Sequence, residues 1–198
     1  NRFGQMGIMR FCLVVLPIAI AFLPVFQNIY IWFLLRFIIG VVATGVWLLS
    51  EVWINALAED QHRGKIIALY SSLISLGLIV GVLISSLIPI ETGGGFYVSA
   101  GIAVISAIPL WKMDDLPDFD VVEDISFYKY LVTAPGLMGS SWIMGFLYAA
   151  TAALLPIFAL PFVEGDYAQS SRTVAWLASG ELTIPLFVGW LADRYDKT

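Results

Sequence analysis

The chain has 198 residues, of which 60% are apolar and 13% charged, with a net charge of −5 and a mean hydropathy of +0.88. That composition excludes an ordinary water-soluble globule, and the acidic balance leaves no basic surface for nucleic acid and no polybasic stretch for anionic lipid. One cysteine, Cys12, and one histidine, His62, rule out a disulfide framework and leave too few soft or imidazole ligands for a transition-metal site. No metal and no cofactor is expected.

Neutral runs at 11–35, 66–90, 92–111 and 130–163 each reach or exceed the roughly 20 residues that cross a bilayer core as a helix. The stretch 11–58 is long enough for two helices, broken at Gln27-Asn28, and the second carries Arg36 and Glu51 as its only charges. A third helix is predicted over 64–90. A fourth follows the flexible turn at Gly93 to Gly95 and runs to Trp111. A fifth covers 134–162: Pro135 suits a first helical turn, Pro156 implies a kink and Pro161 an end. A sixth covers 171–191, with Glu181 near its middle and a possible bend at Pro185. The predicted fold class is therefore all-α, a polytopic membrane protein of six transmembrane helices. The chain starts at Asn1 and has no secretory signal pattern, and it is expected to be an interior piece of a longer protein.

Six spans put both ends on one side, and the basic residues test that count independently, because cytoplasmic loops are enriched in Lys and Arg. Arg2, Arg10, Arg63, Lys65, Lys112, Lys129, Arg194 and Lys197 fall at the ends and in the even-numbered loops, and only Arg172 falls opposite. Both ends are expected to be cytoplasmic. Aromatic residues mark the same boundaries, with Tyr30, Trp32, Phe96, Tyr97, Phe162 and Tyr167 at the outer interface and Trp111, Tyr128, Tyr130, Trp190 and Tyr195 at the inner. The loop 112–129 holds six carboxylates around Pro117 and reads as a solvated linker between two bundles, with no EF-hand spacing.

The two ends of the chain echo each other: Asn1-Arg-Phe-Gly4 and Ala192-Asp-Arg-Tyr195 both set a basic residue and an aromatic at a helix boundary, six helices apart. The stretch Gly189-Trp-Leu-Ala-Asp-Arg-Tyr-Asp196 resembles the G-x-L-A-D-R-x-G loop signature of the major facilitator superfamily of secondary transporters, with Asp196 in place of its last glycine. Arg36-Phe-Ile-Ile-Gly40 followed by Gly45 resembles the superfamily's R-x-x-x-G pattern, and Arg63-Gly64-Lys65 its basic turn. Ser50-Glu-Val-Trp-Ile-Asn-Ala56 is similar to the YcaD-like bacterial branch. Gly77-Leu-Ile-Val-Gly81-Val82 carries Val82 where the antiporter motif has proline. The resemblance implies that the chain runs from the third to the eighth helix of a twelve-helix carrier. Residues 1–111 would end the first six-helix bundle, 112–129 form the cytoplasmic acidic linker, and 130–198 begin the second bundle.

The carrier's site can then be sketched. A helical wheel places Arg36, Gly40, Ala43, Trp47, Glu51 and Ala58 on one stripe, which should face protein or water. An intramembrane charge needs a partner or a wet cavity, and about 15 residues at 1.5 Å put Arg36 and Glu51 roughly 22 Å apart along the axis, too far to satisfy each other. The resemblance implies proton coupling or substrate attraction at Arg36; the alternative is a structural arginine bonded to neighbouring helix carbonyls, since a buried charge must be satisfied. Glu181 is the carboxylate deepest in hydrocarbon, where desolvation favours a neutral, proton-carrying carboxyl group. Trp142, Tyr148 and Trp176 either line the central cavity or pack. Arg2, Gly4, Arg10, Glu51, Arg63, Gly64, Asp193 and Arg194 are expected to form a cytoplasmic gate that exchanges ion pairs. Ser71, Ser72, Ser75, Gly77, Gly81 and Ser85 form a small-residue face suited to close packing, and His62 reads as a solvated loop residue.

No catalytic constellation and no phosphate-binding loop emerges, so an enzyme is not expected. The leading expectation is a proton-coupled carrier in a bacterial inner (plasma) membrane, monomeric at full length, moving a small-molecule substrate by alternating access. A non-transporting sensor or scaffold of the same fold, or a self-contained six-helix channel, are the alternatives.

Overall fold

A computed structural model describes residues 2–59, 62–89, 92–112 and 132–195, with the side chains of 2, 3, 189, 190 and 192–195 outside that description. Among the described residues six α-helices follow in order: α1 (Arg2–Phe22), α2 (Ile29–Leu57), α3 (Arg63–Ser85), α4 (Gly94–Trp111), α5 (Pro135–Ala159) and α6 (Tyr167–Tyr195), with a 3-10 turn (Leu160–Val163) between α5 and α6. The predicted linker at 112–129 lies outside the described residues apart from Lys112.

Local chemistry explains most boundaries. The Gln27-Asn28 break falls where expected, because the Asn28 side chain accepts from the Tyr30 backbone N–H at 2.9 Å and caps α2. Pro135 opens α5, and the chain passes through Pro156 before tightening into the 3-10 turn that contains Pro161. Two expectations are corrected. The third helix stops at Ser85 rather than at 90, because Ser85 and Ser86 turn their hydroxyls onto the carbonyls of Val82 and Leu83 and Pro89 disfavours helix at the residue before it. The sixth starts at Tyr167 rather than at 171. There Asp166 Oδ1 accepts from the N–H groups of Ala168 and Gln169 at 2.8 and 3.2 Å, an aspartate cap in a segment whose polarity otherwise reads as loop.

Among the described residues five helices are long and apolar enough to cross a membrane: Gly4–Phe22, Ile29–Leu57, Arg63–Ser85, Gly94–Trp111 and Pro135–Val163. They carry large apolar side chains outward, including Phe33, Phe37, Phe146 and Phe158. In water such a surface would drive association, whereas in a bilayer it is the solvated surface. The sixth helix has the length but carries Arg172, Glu181 and several hydroxyl residues.

Apart from Trp53 most of what is buried is small or flexible, as expected where helices associate without a hydrophobic driving force between them. Helix α1 packs against both α2 and α4. Met6, Met9 and Leu13 of α1 meet Trp53 of α2 and Ala107 of α4, flanked by Val46, Leu49 and Leu110. The helices α1 and α2 approach closely at Gly45, where an added Cβ would lie 3.1 Å from Cys12 Sγ. At the opposite end the indole of Trp32 donates to the Phe26 carbonyl at 2.6 Å and lies nearly perpendicular to the Phe96 ring, with ring centres 6.1 Å apart. The turn before α4 tucks beneath the α1–α2 turn there: Gly93 has φ +63°, and a Cβ on it would sit 2.7 Å from Pro24 Cβ. Among the described residues the most extensive packing is α3 against α6, and α6 also packs on α5.

Candidate functional site at the α3–α6 seam

The seam between α3 and α6 joins elements from either side of the acidic segment. Ala68, Ser72 and Ser75, spaced i, i+4, i+7, are the buried residues of α3, and that spacing puts them on one helix face. Ala175 and Ala178 are buried on α6. With no long side chain between them the backbones come close enough for Ser72 Oγ to donate to the Leu182 carbonyl of α6 at 2.9 Å. Fourteen residues along α3 from Ser72, Ser86 accepts from Arg172 Nε at 3.3 Å. Ser72 meets residue 182 and Ser86 meets residue 172, so the two helices run antiparallel.

This divides the small-residue face expected from sequence. Ser72 and Ser75 are in the seam, but an added Cβ on Gly77 or Gly81 would meet nothing within 4 Å, because those glycines point away from α6. Ser75 returns its hydroxyl to the Ser71 carbonyl of its own helix at 3.3 Å.

Glu181 immediately precedes the residue held by Ser72 and is half-buried. Pro185 lies four residues on and has no N–H, so the Glu181 carbonyl loses its intrahelical donor. Across from it on α5, Tyr148 is close enough to interact electrostatically with the Glu181 carboxylate. Sequence reasoning selected both residues separately, and the α5–α6 packing brings them together. A second proximity of the same kind was not anticipated: Tyr70 of α3 lies within electrostatic range of Glu51 on α2. A tyrosine one helix away from an intramembrane carboxylate is its signal, legible only once helix neighbours are known.

The other predicted residues are more dispersed. Arg36, Gly40, Ala43, Trp47 and Glu51 are all exposed on one side of α2, whereas Val42 and Trp53 are its buried residues. The stripe was expected to face protein or water, and no described helix covers it apart from its last member, Ala58, which is buried. Trp142 and Trp176 are 73% and 78% exposed; Trp142 stacks on Phe146 of its own helix with ring centres 6.1 Å apart. A groove of about 520 Å³ between α1 and α4 is lined by Leu13, Val14, Pro17, Ile18, Val104, Ala107, Ile108, Trp111 and Lys112, and none of the predicted site residues belongs to it.

Of the expected gate, Arg2, Asp193 and Arg194 lie outside the described side chains. Arg10 is half-buried and Gly4 is open, with room for a Cβ. Arg63 turns back onto α2, its guanidinium donating to the Asn55 carbonyl at 3.5 Å, where the negative end of the helix dipole favours a cation. Gly64 begins α3 beside it. His62 is exposed at the start of α3 and makes no side-chain cap bond. Among the described residues no three His, Cys, Asp or Glu side chains cluster as metal ligands.

The Major Facilitator Superfamily model matches residues 1–198 of the chain. The chain belongs to that superfamily. A curated relative, described as an uncharacterized MFS-type transporter YfkF from Bacillus subtilis (strain 168), is 23% identical over 178 residues, which cover 86% of this chain and 45% of that protein. The chain thus spans about half the length of the relative it matches. No solved structure matches it. As a member of the superfamily the chain is an integral membrane protein, and the α3–α6 seam and the carboxylates Glu181 and Glu51, near Tyr148 and Tyr70, are the features on which function can be argued.

Proposed function

We propose that this chain is the middle of a secondary active transporter that moves a small molecule by alternating access and is driven by protons. Residues 1–111 belong to one bundle and 130–198 to the other, with the acidic segment 112–129 as the linker between them and α6 as the sixth span. The observation that carries the reading is the α3–α6 seam, where helices from before and after that segment pack antiparallel with a half-buried carboxylate, Glu181, and its neighbour Tyr148 beside the contact.

Rocking requires a contact between halves that tolerates small rotations, and alanine and serine side chains allow that because they interdigitate little. Proton drive requires a carboxyl group that can be neutral inside and charged when wetted. Glu181 holds the proton in this reading, with Tyr148 within electrostatic range of it. Arg36, Trp47, Trp142 and Trp176 face the substrate pathway. Arg2, Gly4, Arg10, Glu51, Arg63, Gly64, Asp193 and Arg194 form the cytoplasmic gate. The full-length carrier is a monomer in a bacterial inner membrane with both ends of this segment in the cytoplasm.

The test uses full-length protein in liposomes loaded with a pH-sensitive dye and challenged with a panel of small solutes. A solute that acidifies or alkalinises the lumen through the wild type, but not through Glu181→Gln, supports the reading. Solute movement with no proton movement, or proton movement undiminished in Glu181→Gln, overturns the coupling.

A further inference from the structure

Arg172 is the one basic residue that falls outside the charge pattern of the other loops, and the structure gives it a specific contact. Its Nε donates to the Ser86 hydroxyl at 3.3 Å. Ser86 is the residue that closes α3, and its hydroxyl in turn donates to the Leu83 carbonyl at 2.8 Å. The guanidinium therefore sits at the carbonyl end of α3, where the helix dipole favours a cation. Arg172 and Ser86 come from the two sides of the acidic segment.

The start of α6 is held in two different ways. Ser170, 1% exposed, donates to the Pro156 carbonyl of α5, and Asp166 caps the helix from within. These ties belong to the α5–α6 hairpin and are buried or local. The tie to α3 is different, since Arg172 is exposed to solvent and bonds a neutral hydroxyl, a contact of modest net strength that water can replace. Deeper in the same seam the Ser72 to Leu182 bond is buried on the Ser72 side.

We infer that Arg172 and Ser86 form a breakable latch that closes one end of the α3–α6 seam, with the Ser72–Leu182 contact as the pivot. Fourteen residues at 1.5 Å separate pivot and latch by about 21 Å, so a rotation of roughly 10° swings the latch by about 4 Å. That displacement breaks the bond while leaving the pivot in place. The inference rests on the rocking reading for its purpose, but the latch is a contact that can be tested by itself.

The experiment uses full-length protein without other cysteines, in nanodiscs, where both faces are accessible. Ala175→Cys, a buried position one turn along α6 from Arg172, reports opening through its rate of reaction with a water-soluble maleimide. Arg172→Ala and Ser86→Ala should each raise the rate about 3–10-fold, the double variant no further, and Arg172→Lys should recover part of the closed state. Thermal stability of each variant separates opening from general unfolding: a faster rate accompanied by loss of the folded fraction overturns the latch. Unchanged rates in both single variants, or additive effects in the double, also overturn it. A latch that behaves as expected in a protein that moves no solute leaves this inference standing and removes the transport reading; solute transport with an unresponsive reporter does the reverse.

Discussion

Replacing Gly93 with alanine perturbs a single point at which two turns meet. The residue has φ +63°, a left-handed conformation that costs a residue with a Cβ about 1–2 kcal/mol. The new Cβ would also lie 2.7 Å from Pro24 Cβ, about 1 Å inside a comfortable carbon–carbon separation. Neither side can yield by rotating a side chain, because both atoms are fixed to backbone. Relief requires the α1–α2 turn to move, and overpacking of this kind costs about 1–3 kcal/mol. The combined loss is about 2–5 kcal/mol. The assay is heating of full-length protein in detergent, followed by measurement of the monodisperse fraction. Gly95→Ala is the control, since an alanine there meets nothing within 4 Å and lies inside α4; helix propensity makes it neutral or stabilising by up to about 1 kcal/mol. In the background of Pro24→Gly the cost of Gly93→Ala should fall by the clash component alone. Equal melting of Gly93→Ala and Gly95→Ala would refute the reasoning, because it would mean that the two turns do not touch.

Three further outcomes follow from the packing. Trp53 is buried with its indole N–H lacking a hydrogen-bond partner, so Trp53→Phe trades a small cavity for removal of an unsatisfied donor and should change stability by less than about 1 kcal/mol, whereas Trp53→Ala should cost about 3–5 kcal/mol in the same melting assay. Ser72→Ala should weaken the seam by about 0.6 kcal/mol, with an upper bound near 1.7, and Ser72→Leu far more; a Ser72→Leu variant that melts like wild type would show that α3 and α6 are not in close contact. Gly45→Leu should be destabilising because even a Cβ there comes within 3.1 Å of Cys12 Sγ, and Cys12→Ala should recover part of the loss when both are heated side by side.

The latch and the pivot bear on how a carrier of this kind would control its two ends. An exposed hydrogen bond from a guanidinium to a serine hydroxyl can be replaced by water, which suits a contact that forms and breaks in the proposed cycle. A buried serine bonded to a carbonyl beside a proline-interrupted turn has no such substitute and holds its position. In the proposed motion Glu181 lies next to the point that moves least, so a change in its charge would act on the seam with a short lever and on the latch with a long one.

Membrane spanning was legible in the residues alone, because a bilayer core demands about 20 apolar residues per crossing whatever the neighbours are. The same holds for the break at Asn28, the start at Pro135 and the turn at Gly93, each of which answers a local need of the backbone that one side chain meets or that one missing side chain allows. The family was legible too, through motifs near helix ends. The ends at Ser85 and Tyr167 depended on which hydroxyl or carboxylate reached which backbone group, and polarity alone pointed the wrong way. Helix partners were beyond the sequence for a more general reason. When every face of a helix is apolar, periodicity no longer marks the side that packs, and the choice is made by close fit between small residues. Only the folded arrangement therefore showed that Ser72 belongs to the seam while Gly77 does not, that Glu181 and Tyr148 are neighbours, and that Arg172, an outlier in the charge pattern, finds its place at the end of α3.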